Sequence, residues 1–305
     1  MTRMRYGMLA LALGAPLLVG CAKITQLGAA VGQATGTLSP QEAQAITRTG
    51  AAVEKTFADI TPEQEYFIGR AVTATVLGQY SAFDNEEAHR YLTALGRMLA
   101  EASDLPETFG GYHFQILDTE EINAFAAPGG FITISKGMLR LCRTEDALAA
   151  VLAHEIGHVQ ARHGLRAIRR GRLTSALTVL AVESARTYGP QELAQLTTAF
   201  EGSISDITGT MMNSGYARAL EREADRAAVT IMQRVGYDPH ALVDMLAEME
   251  KNLKPGGRDF ARTHPKPSDR IRDVRKMIGK QPPQPVSAAR QQRFEQAMAP
   301  ILATE

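Results

Sequence analysis

This sequence has few cysteines, no tryptophan and no excess of charge of either sign. Its 305 residues include two cysteines and no tryptophan, and 33 basic side chains balance 33 acidic ones. The two cysteines, Cys21 and Cys142, are too few for a disulfide framework or an all-cysteine zinc site. The balanced charge argues against a nucleic-acid binder held by phosphate contacts. With 45% apolar and 22% charged residues, the composition is that of a globular protein rather than a disordered one.

The first twenty residues have the pattern of a secretion signal. Arg3 and Arg5 precede an uncharged stretch, 6–20, which is too short to span a bilayer comfortably. This stretch ends in Leu18-Val19-Gly20-Cys21, which resembles the bacterial lipobox, where cleavage leaves an acylated cysteine as the first residue. We expect a lipid anchor on Cys21 and a periplasmic location; the alternative is a plain secretory signal with a cysteine at its cleavage site. The residue after Cys21 is Ala22 rather than an aspartate, which, by resemblance to enterobacterial sorting rules, points to the outer membrane.

Composition divides the chain into four segments. Residues 1–20 form the signal, and residues 21–60, rich in Ala, Gly, Thr and Gln, predict a tether with one surface helix. Residues 61–278 form one main domain, and residues 279–305 a proline-rich linker followed by a last amphipathic helix. Helical periodicity dominates the main domain and strand alternation is rare, so the predicted fold class is α+β, predominantly helical.

Short strands and one loop interrupt the predicted helices. Tyr112 to Leu117 alternates apolar and polar residues, and Phe131 to Ser135 follows the turn Pro128-Gly129-Gly130, so both are predicted strands. Gly202 to Gly215 is rich in Gly, Ser, Thr and Met, which predicts a loop, interpreted as a movable cover. Cys142 lies between apolar neighbours and is expected to be buried and inert.

The strongest chemical motif is His154-Glu155-Ile-Gly-His158, the HExxH pattern. Thr144 and the two acids after it predict the start of a helix that carries this motif. Residues i and i+4 share a helix face, so His154 and His158 can reach one metal ion. Glu155 lies about 100° further round, where it can take a proton from a water on that metal. The alternative is a chance match of five residues, but the motif lies on the kind of helix that the chemistry requires.

Glu221 is the best candidate for the third protein ligand that a catalytic zinc needs. His163 is nearer in sequence, but it lies about 900° of helical rotation past His154, half a turn from the ligand face. We expect His163 at the helix C-terminus, where the dipole favours positive charge. Glu221 and Asp225 share a helix face, so Asp225 can accept the free N–H of a ligating histidine. Glu223 should face elsewhere; the alternative is that this helix carries an ordinary solvated charged face.

Four blocks of sequence, in this order, carry a family resemblance. They are Asn123-Ala-Phe-Ala-Ala-Pro-Gly-Gly130; His154-Glu-Ile-Gly-His158 with Ala161-Arg-His163; Arg218-x-x-Glu221-x-Glu-Ala-Asp225; and Thr263-His-Pro265 with Arg270. Together they resemble the HtpX-like and CAAX prenyl protease-type zinc metallopeptidases over roughly residues 61–275. The absence of a stretch long enough to span a membrane favours the periplasmic lipoprotein branch, whose members are BepA- and LoiP-like.

The resemblance implies a zincin-like metallopeptidase domain over 61–278, with a small edge-exposed β-sheet packed on the HExxH helix. It implies one Zn²⁺ per chain, held by His154, His158 and Glu221, with Glu155 as the base. Asp225 becomes the acceptor for a histidine N–H.

For the substrate, the resemblance implies that the strand Phe131–Ser135 is a sheet edge that pairs with an extended peptide. The expected substrate-binding residues are Gly130, Phe131, Ile132 and Thr133. His264 either stabilises the oxyanion or occupies the fourth zinc position as a latch. Arg270 steadies the same loop or the transition state, or is a surface arginine, and Tyr216 is a further oxyanion candidate by proximity alone.

The functional hypothesis is therefore a zinc-dependent endopeptidase that hydrolyses unfolded or misassembled cell-envelope proteins. Its expected partners are these substrates and the membrane that holds the Cys21 anchor, with no nucleic acid and no other cofactor. The alternative is a largely inactive chaperone-like or binding lipoprotein whose zinc is latched by His264. Glu155 favours the enzyme, because a pure scaffold has no need of a base beside its metal.

Overall fold

The computed structural model describes residues 60–168, 201–252, 260–264 and 266–303. The predicted signal, tether and lipobox, including Cys21, lie outside the described residues. In chain order the elements are α1 (Pro62–Leu77), α2 (Glu86–Glu101), β1 (His113–Leu117), β2 (Ala124–Ala127), β3 (Phe131–Ser135), α3 (Lys136–Leu141), α4 (Glu145–Gln160), α5 (His163–Arg166), α6 (Arg218–Arg234), α7 (His240–Asn252), α8 (Phe260–Thr263), α9 (Pro267–Ile278) and α10 (Ala288–Leu302). This mostly helical set with one small sheet confirms the predicted α+β class.

Helix starts follow capping residues that the sequence displays. Thr61 accepts a hydrogen bond from the backbone N–H of Gln64 at 3.2 Å, and the Gln64 side chain accepts one from the backbone of Thr61 at 3.0 Å. This reciprocal cap, with Pro62 at the first helical position, satisfies N–H groups that a helix end otherwise leaves unpaired. Thr144 caps α4 with a single hydrogen bond, which its side chain accepts from the backbone N–H of Ala147 at 3.1 Å. The HExxH helix therefore begins where the sequence predicts.

The three-stranded sheet has the order β1-β3-β2, with β1 parallel and β2 antiparallel to β3. The expectation that Phe131–Ser135 is a sheet edge is therefore wrong, because β3 is hydrogen-bonded on both sides. Gly130, Phe131, Ile132 and Thr133 cannot pair with a peptide in the expected way. The strand Ala124–Ala127 caused the error: three of its four residues are alanine, whose low β propensity gives little sign of a strand in the sequence.

Helix α4 lies at the centre of the core. Its residues are buried from Glu145 to Val159, which fits a helix that is apolar nearly all round. It packs mainly against α6, and also against α2, α7 and β2. A Cβ on Gly157 would lie 2.9 Å from the Ala224 carbonyl oxygen and 3.0 Å from the Ala227 Cβ. Only glycine permits this approach of α4 to α6, and the approach brings the HExxH motif close to the Glu221 helix.

The prediction of a loop over Gly202–Gly215 is wrong. Residues 201–209 are α-helical, and Thr210–Ser214 continue as one turn of π-helix. Buried Ile207 and Met211 show that tertiary packing overrides the weak helix propensity of this segment. Gly215 ends it with φ +72°, and a Cβ there would lie 2.1 Å from the Thr263 carbonyl oxygen. The close contact leaves no room for a side chain.

The C-terminal helix α10 packs on the main body rather than away from it. Phe294, Met298 and Ile301 are buried, and α10 contacts α2, α3 and α4. Arg293 forms an ion pair with Glu145, the first residue of α4. Among the described residues, no helix has the length and apolar character needed to cross a membrane. The segment boundaries at 20, 60 and 278 stay predictions.

Candidate metal centre

Four buried side chains from three parts of the chain converge between α4 and α6. They are His154 and His158 on α4, Glu221 on α6, and His264 just after α8. The Nε2 atoms of His154 and His158 are 3.1 Å apart. The Glu221 carboxylate lies 3.5 Å from His158 Nε2 and 3.7 Å from His154 Nε2. His264 Nε2 lies 3.8 Å from the same carboxylate.

These separations fit a small tetrahedral cation. Ligands about 2.0–2.1 Å from a tetrahedral zinc ion lie about 3.3 Å from one another. One candidate ligand atom from each of the four residues lies within 4.8 Å of the other three. The sequence-predicted set of His154, His158 and Glu221 is therefore brought together, and His264 joins it.

Unpaired polar atoms cluster at the same place. Glu155 Oε1, both carboxylate oxygens of Glu221, one terminal nitrogen of Arg270 and the Tyr216 hydroxyl are buried without a hydrogen-bond partner among the described residues. Buried polar atoms are normally paired, and each one left unpaired costs about 1–3 kcal/mol. An ion, with a water or substrate atom beside it, is the kind of group that such a set of donors and acceptors can take.

The electrostatics of the pocket point the same way. Burial lowers the pKa of His154 to about 4 and lowers the pKa of His158 and His264 well below the usual value, so all three rings are neutral and can offer lone pairs. Burial raises the pKa of Glu155 to about 8, and raises that of Glu221 well above its ordinary value. Arg270 lies 3.7 Å from the Glu221 carboxylate and lowers both pKa values, but burial outweighs its charge, so a divalent cation would favour the ionised carboxylates further.

Asp225 holds His154 from behind, as its spacing from Glu221 predicts. Its Oδ1 lies 3.1 Å from His154 Nδ1. Arg270, from α9, donates to both oxygens of Asp225, at 2.6 and 3.0 Å. Burial raises the pKa of Asp225, but the charge of Arg270 outweighs it and keeps the carboxylate ionised. Arg270 is itself 5% exposed, so the alternative of a surface arginine is wrong.

Two neighbours fix the ring of His264. It stacks on Phe260 with the ring centroids 3.6 Å apart and the planes at 4°, and its Nδ1 lies 3.0 Å from the Thr263 hydroxyl. The Phe260 backbone N–H donates to the Ile122 carbonyl at 2.9 Å, which ties α8 to the segment just before β2. The position of His264 in the chain gives no spacing signal, so only the family resemblance indicated a role for it.

His163 lies just past the end of α4, as expected, but its surroundings differ from those expected. It is fully buried, and its Nδ1 lies 2.8 Å from Nδ1 of His158. Burial lowers its pKa, so it does not hold positive charge for the helix dipole. Arg162, with φ +52°, turns the chain between α4 and α5 and so redirects His163. Glu223 faces away from the four-residue cluster as predicted, but it contacts His163 at 3.2 Å.

Tyr216 and Cys142 are the remaining residues from the sequence analysis that lie in the described part of the chain. The Tyr216 ring stacks on His158 with centroids 4.6 Å apart. Burial, with Glu155 and Glu221 nearby, raises the pKa of its hydroxyl, which stays protonated. Cys142 is buried and free, and burial raises its thiol pKa, as expected of an inert cysteine.

Comparison with known proteins agrees with the site. Residues 86–278 match peptidase family M48. The chain is 28% identical over 234 residues to the beta-barrel assembly-enhancing protease of Escherichia coli K12, covering 74% of this chain and 46% of that protein. It is 33% identical over 162 residues to the mitochondrial metalloendopeptidase OMA1 of Schizosaccharomyces pombe (51% and 43% covered), and 25% identical over 166 residues to the metalloprotease LoiP of E. coli K12 (53% and 61% covered).

The chain spans less than half the length of the assembly-enhancing proteases it matches. The matched region nevertheless contains the whole histidine–glutamate cluster, together with Glu155, Asp225 and Arg270. Since the match covers well over half of the chain, the protein belongs to peptidase family M48, a family of metallopeptidases.

Proposed function

We propose that the protein is a zinc-dependent endopeptidase whose metal is held by His154, His158 and Glu221. The convergence of these three side chains, with ligand atoms 3.1–3.7 Å apart, is the observation that carries the proposal. Two imidazoles and a carboxylate are one of the ligand sets found at catalytic zinc. The proposed catalytic domain is 61–278, as the sequence predicts.

A zinc ion supplies Lewis acidity and lowers the pKa of a nearby water to about 7. Glu155 is the base in the proposed mechanism. With a cation held beside it, its buried carboxylate would accept the proton of the attacking water and pass it to the leaving amine. Glu155 follows the proposed ligand His154 directly and lies one helical turn before the proposed ligand His158, so it is held beside the metal centre.

Arg270 and Tyr216 are the proposed donors to the oxyanion. The unpaired Arg270 nitrogen lies 3.7 Å from Glu221 Oε2, and the Tyr216 hydroxyl is buried beside Glu155 and Glu221. Both have N–H or O–H groups without a hydrogen-bond partner, which supports the proposal that they donate to the developing negative charge. His264, in contact with Glu221, is proposed to be the latch of a resting state rather than the oxyanion donor.

The substrate strand is proposed to be β2 instead of β3. β2 is a sheet edge, packs on α4 and contacts the π-helical turn that precedes Tyr216. Among the described residues, no other strand pairs with its outer side. An extended peptide that adds to this edge would lie next to the HExxH helix, and since all four β2 residues are buried, the cover over the edge would have to move first.

The proposed substrates are unfolded or misassembled envelope proteins, and the proposed location is the periplasm, with a lipid on Cys21 and attachment to the outer membrane. The names of the assembly-enhancing relatives and the lipobox-like residues 18–21 support this. The Cys21→Ser variant, expressed in a Gram-negative host, should leave the membrane fraction. If it stays bound as the wild type does, the anchor is excluded.

The test of the proposed activity compares the wild type with Glu155→Gln on unfolded casein, each loaded with one zinc ion. Glu155→Gln keeps the ligands and removes the base, so cleavage should fall by at least about 10²-fold. Equal cleavage by the two proteins would exclude the proposed mechanism. The alternative function, a chaperone-like lipoprotein with a permanently latched zinc, is favoured by the position of His264; it predicts that the wild type does not cleave.

A further inference from the structure

The two histidines of the HExxH helix have different partners behind them. His154 Nδ1 faces the carboxylate of Asp225 at 3.1 Å. His158 Nδ1 has no carboxylate of its own; it faces the ring nitrogen Nδ1 of His163 at 2.8 Å. His163 is fully buried and lies outside the four-residue cluster.

The contact continues outward from His163 to a carboxylate. The other ring nitrogen of His163, Nε2, lies 3.2 Å from Glu223 Oε2. The same oxygen accepts a hydrogen bond from Arg166 at 2.9 Å. His163 and Arg166 lie on α5 and Glu223 lies on α6. These contacts therefore link two helices and end at a half-exposed carboxylate. We call His158, His163 and Glu223 the relay.

The direction of the hydrogen bonds in the relay follows from its geometry. Two ring nitrogens 2.8 Å apart share one hydrogen, so one donates and the other accepts. His158 presents Nε2 to the cluster, and a metal there leaves the hydrogen on Nδ1. His163 must then accept at Nδ1 and carry its own hydrogen on Nε2. That hydrogen points at Glu223, whose carboxylate can only accept.

We propose that His163 and Glu223 are positioning residues that fix the tautomer and ring orientation of the metal ligand His158. The inference rests on the proposed function, because it takes His158 to be a ligand. His163 would give Nδ1 of His158 a hydrogen-bond acceptor through a neutral ring, as the carboxylate of Asp225 gives one directly to Nδ1 of His154.

The direct test is the protonation of the two rings in the wild-type protein. Two-bond ¹H–¹⁵N spectra of the zinc-loaded, ¹⁵N-histidine-labelled full chain separate the two neutral tautomers from the imidazolium. The relay predicts hydrogen on Nδ1 of His158 and on Nε2 of a neutral His163. An imidazolium at position 163, or hydrogen on its Nδ1, overturns the proposal. No variant is needed, so the result does not depend on a mutant folding.

Zinc affinity of matched variants provides the second test. His163→Leu removes the acceptor, and the zinc Kd, measured by competition with a chromogenic chelator, should rise by about 10–100-fold, as for other partners of metal ligands. His163→Asn places an amide oxygen close to the lost Nδ1 and should stay within about fivefold of the wild type. Arg234→Gln removes a partly exposed ion pair at the far end of α6 and should leave the Kd unchanged.

These outcomes separate the relay from the metal site itself. A wild type without zinc affinity contradicts the proposed function, and the relay with it. A wild type that binds zinc, together with a folded His163→Leu variant of equal affinity, contradicts the relay alone. A loss in His163→Leu that Asn does not restore assigns His163 a packing role only and also overturns the proposal.

Discussion

Arg270 donates two hydrogen bonds to the carboxylate of Asp225, next to the candidate metal centre. The guanidinium of Arg270 lies 2.6 Å from Oδ1 and 3.0 Å from Oδ2, and both side chains are buried. Asp225 in turn faces Nδ1 of His154 at 3.1 Å. A residue of α9 therefore orients a ring on α4 through a carboxylate on α6. The ion pair of Arg270 with Asp225 and the contact of Asp225 with His154 therefore link the three helices.

Removal of Arg270 should destabilise the zinc-free protein. Arg270→Met leaves the buried Asp225 carboxylate without its cation, which costs about 3–5 kcal/mol for a pair of this kind. Urea unfolding followed by circular dichroism measures the change. Arg272→Met, on the exposed side of the same helix, should cost less than about 0.5 kcal/mol. Equal effects of the two substitutions would show that Arg270 has no special role.

Gly157 sets the distance between the HExxH helix and the helix of Glu221. A Cβ at this position meets backbone and side-chain atoms of Ala224 and Ala227 at 2.9–3.0 Å, so Gly157→Ala should push α4 and α6 apart. We expect a loss of about 1–3 kcal/mol in unfolding free energy and a weaker zinc affinity.

Gly209→Ala is the matched control for this substitution. Gly209 is helical, and a Cβ there has no neighbour within 4 Å. Alanine should therefore be neutral or stabilising, by up to about 1 kcal/mol. Thermal unfolding and zinc titration of both variants check the pair. If Gly157→Ala binds zinc as tightly as the wild type, the close helix contact does not control the site.

His264 is predicted to limit turnover. His264→Ala removes a buried ring that contacts Glu221, so the fourth position should open while the other three ligands remain. Zinc content should stay at one per chain. The kcat on unfolded casein should rise, by about tenfold if the fourth metal position is open in about a tenth of the wild-type molecules. A fall in kcat with zinc retained would make His264 an oxyanion donor, the other role that the resemblance implies.

The ion pair between Glu145 and Arg293 should give a pH-dependent part of the stability. Burial raises the pKa of Glu145, but hydrogen bonds from Arg293, Tyr237 and Tyr91 outweigh it and hold the pKa below 4.5. A lowered folded pKa stabilises the fold above the unfolded value and loses that effect as the pH falls through the folded value.

Arg293→Gln should therefore cost about 1 kcal/mol at pH 7, since Arg293 is partly exposed to solvent. The difference from wild type should shrink as the pH is lowered below about 4. Urea midpoints at a series of pH values measure it. A difference that stays constant with pH would mean that Arg293 acts through packing of α10 alone.

Local patterns predicted the parts of the site that lie on single helices. The four-residue spacings of His154 with His158 and of Glu221 with Asp225 depend only on helix geometry. The start of α4 at Thr144 depends only on capping. These features are all where the sequence places them, although the roles of the residues stay proposals.

The wrong predictions concern positions that tertiary contacts decide. The sheet order depends on an alanine-rich strand with little β propensity, and the helix over 201–209 is held by buried apolar contacts that its composition does not reveal. His163 turns toward His158 because Arg162 adopts a left-handed conformation, which no spacing rule anticipates. Arg270 lies in a basic run that looks solvated, and only the buried Asp225 on a distant helix explains its position.

The most direct test of the central claim is a crystal structure of the zinc-loaded protein with anomalous data at the zinc edge. The account predicts one peak per chain, about 2.0–2.2 Å from Nε2 of His154, Nε2 of His158 and a carboxylate oxygen of Glu221. No zinc at this place, or zinc bound without Glu221, would contradict it.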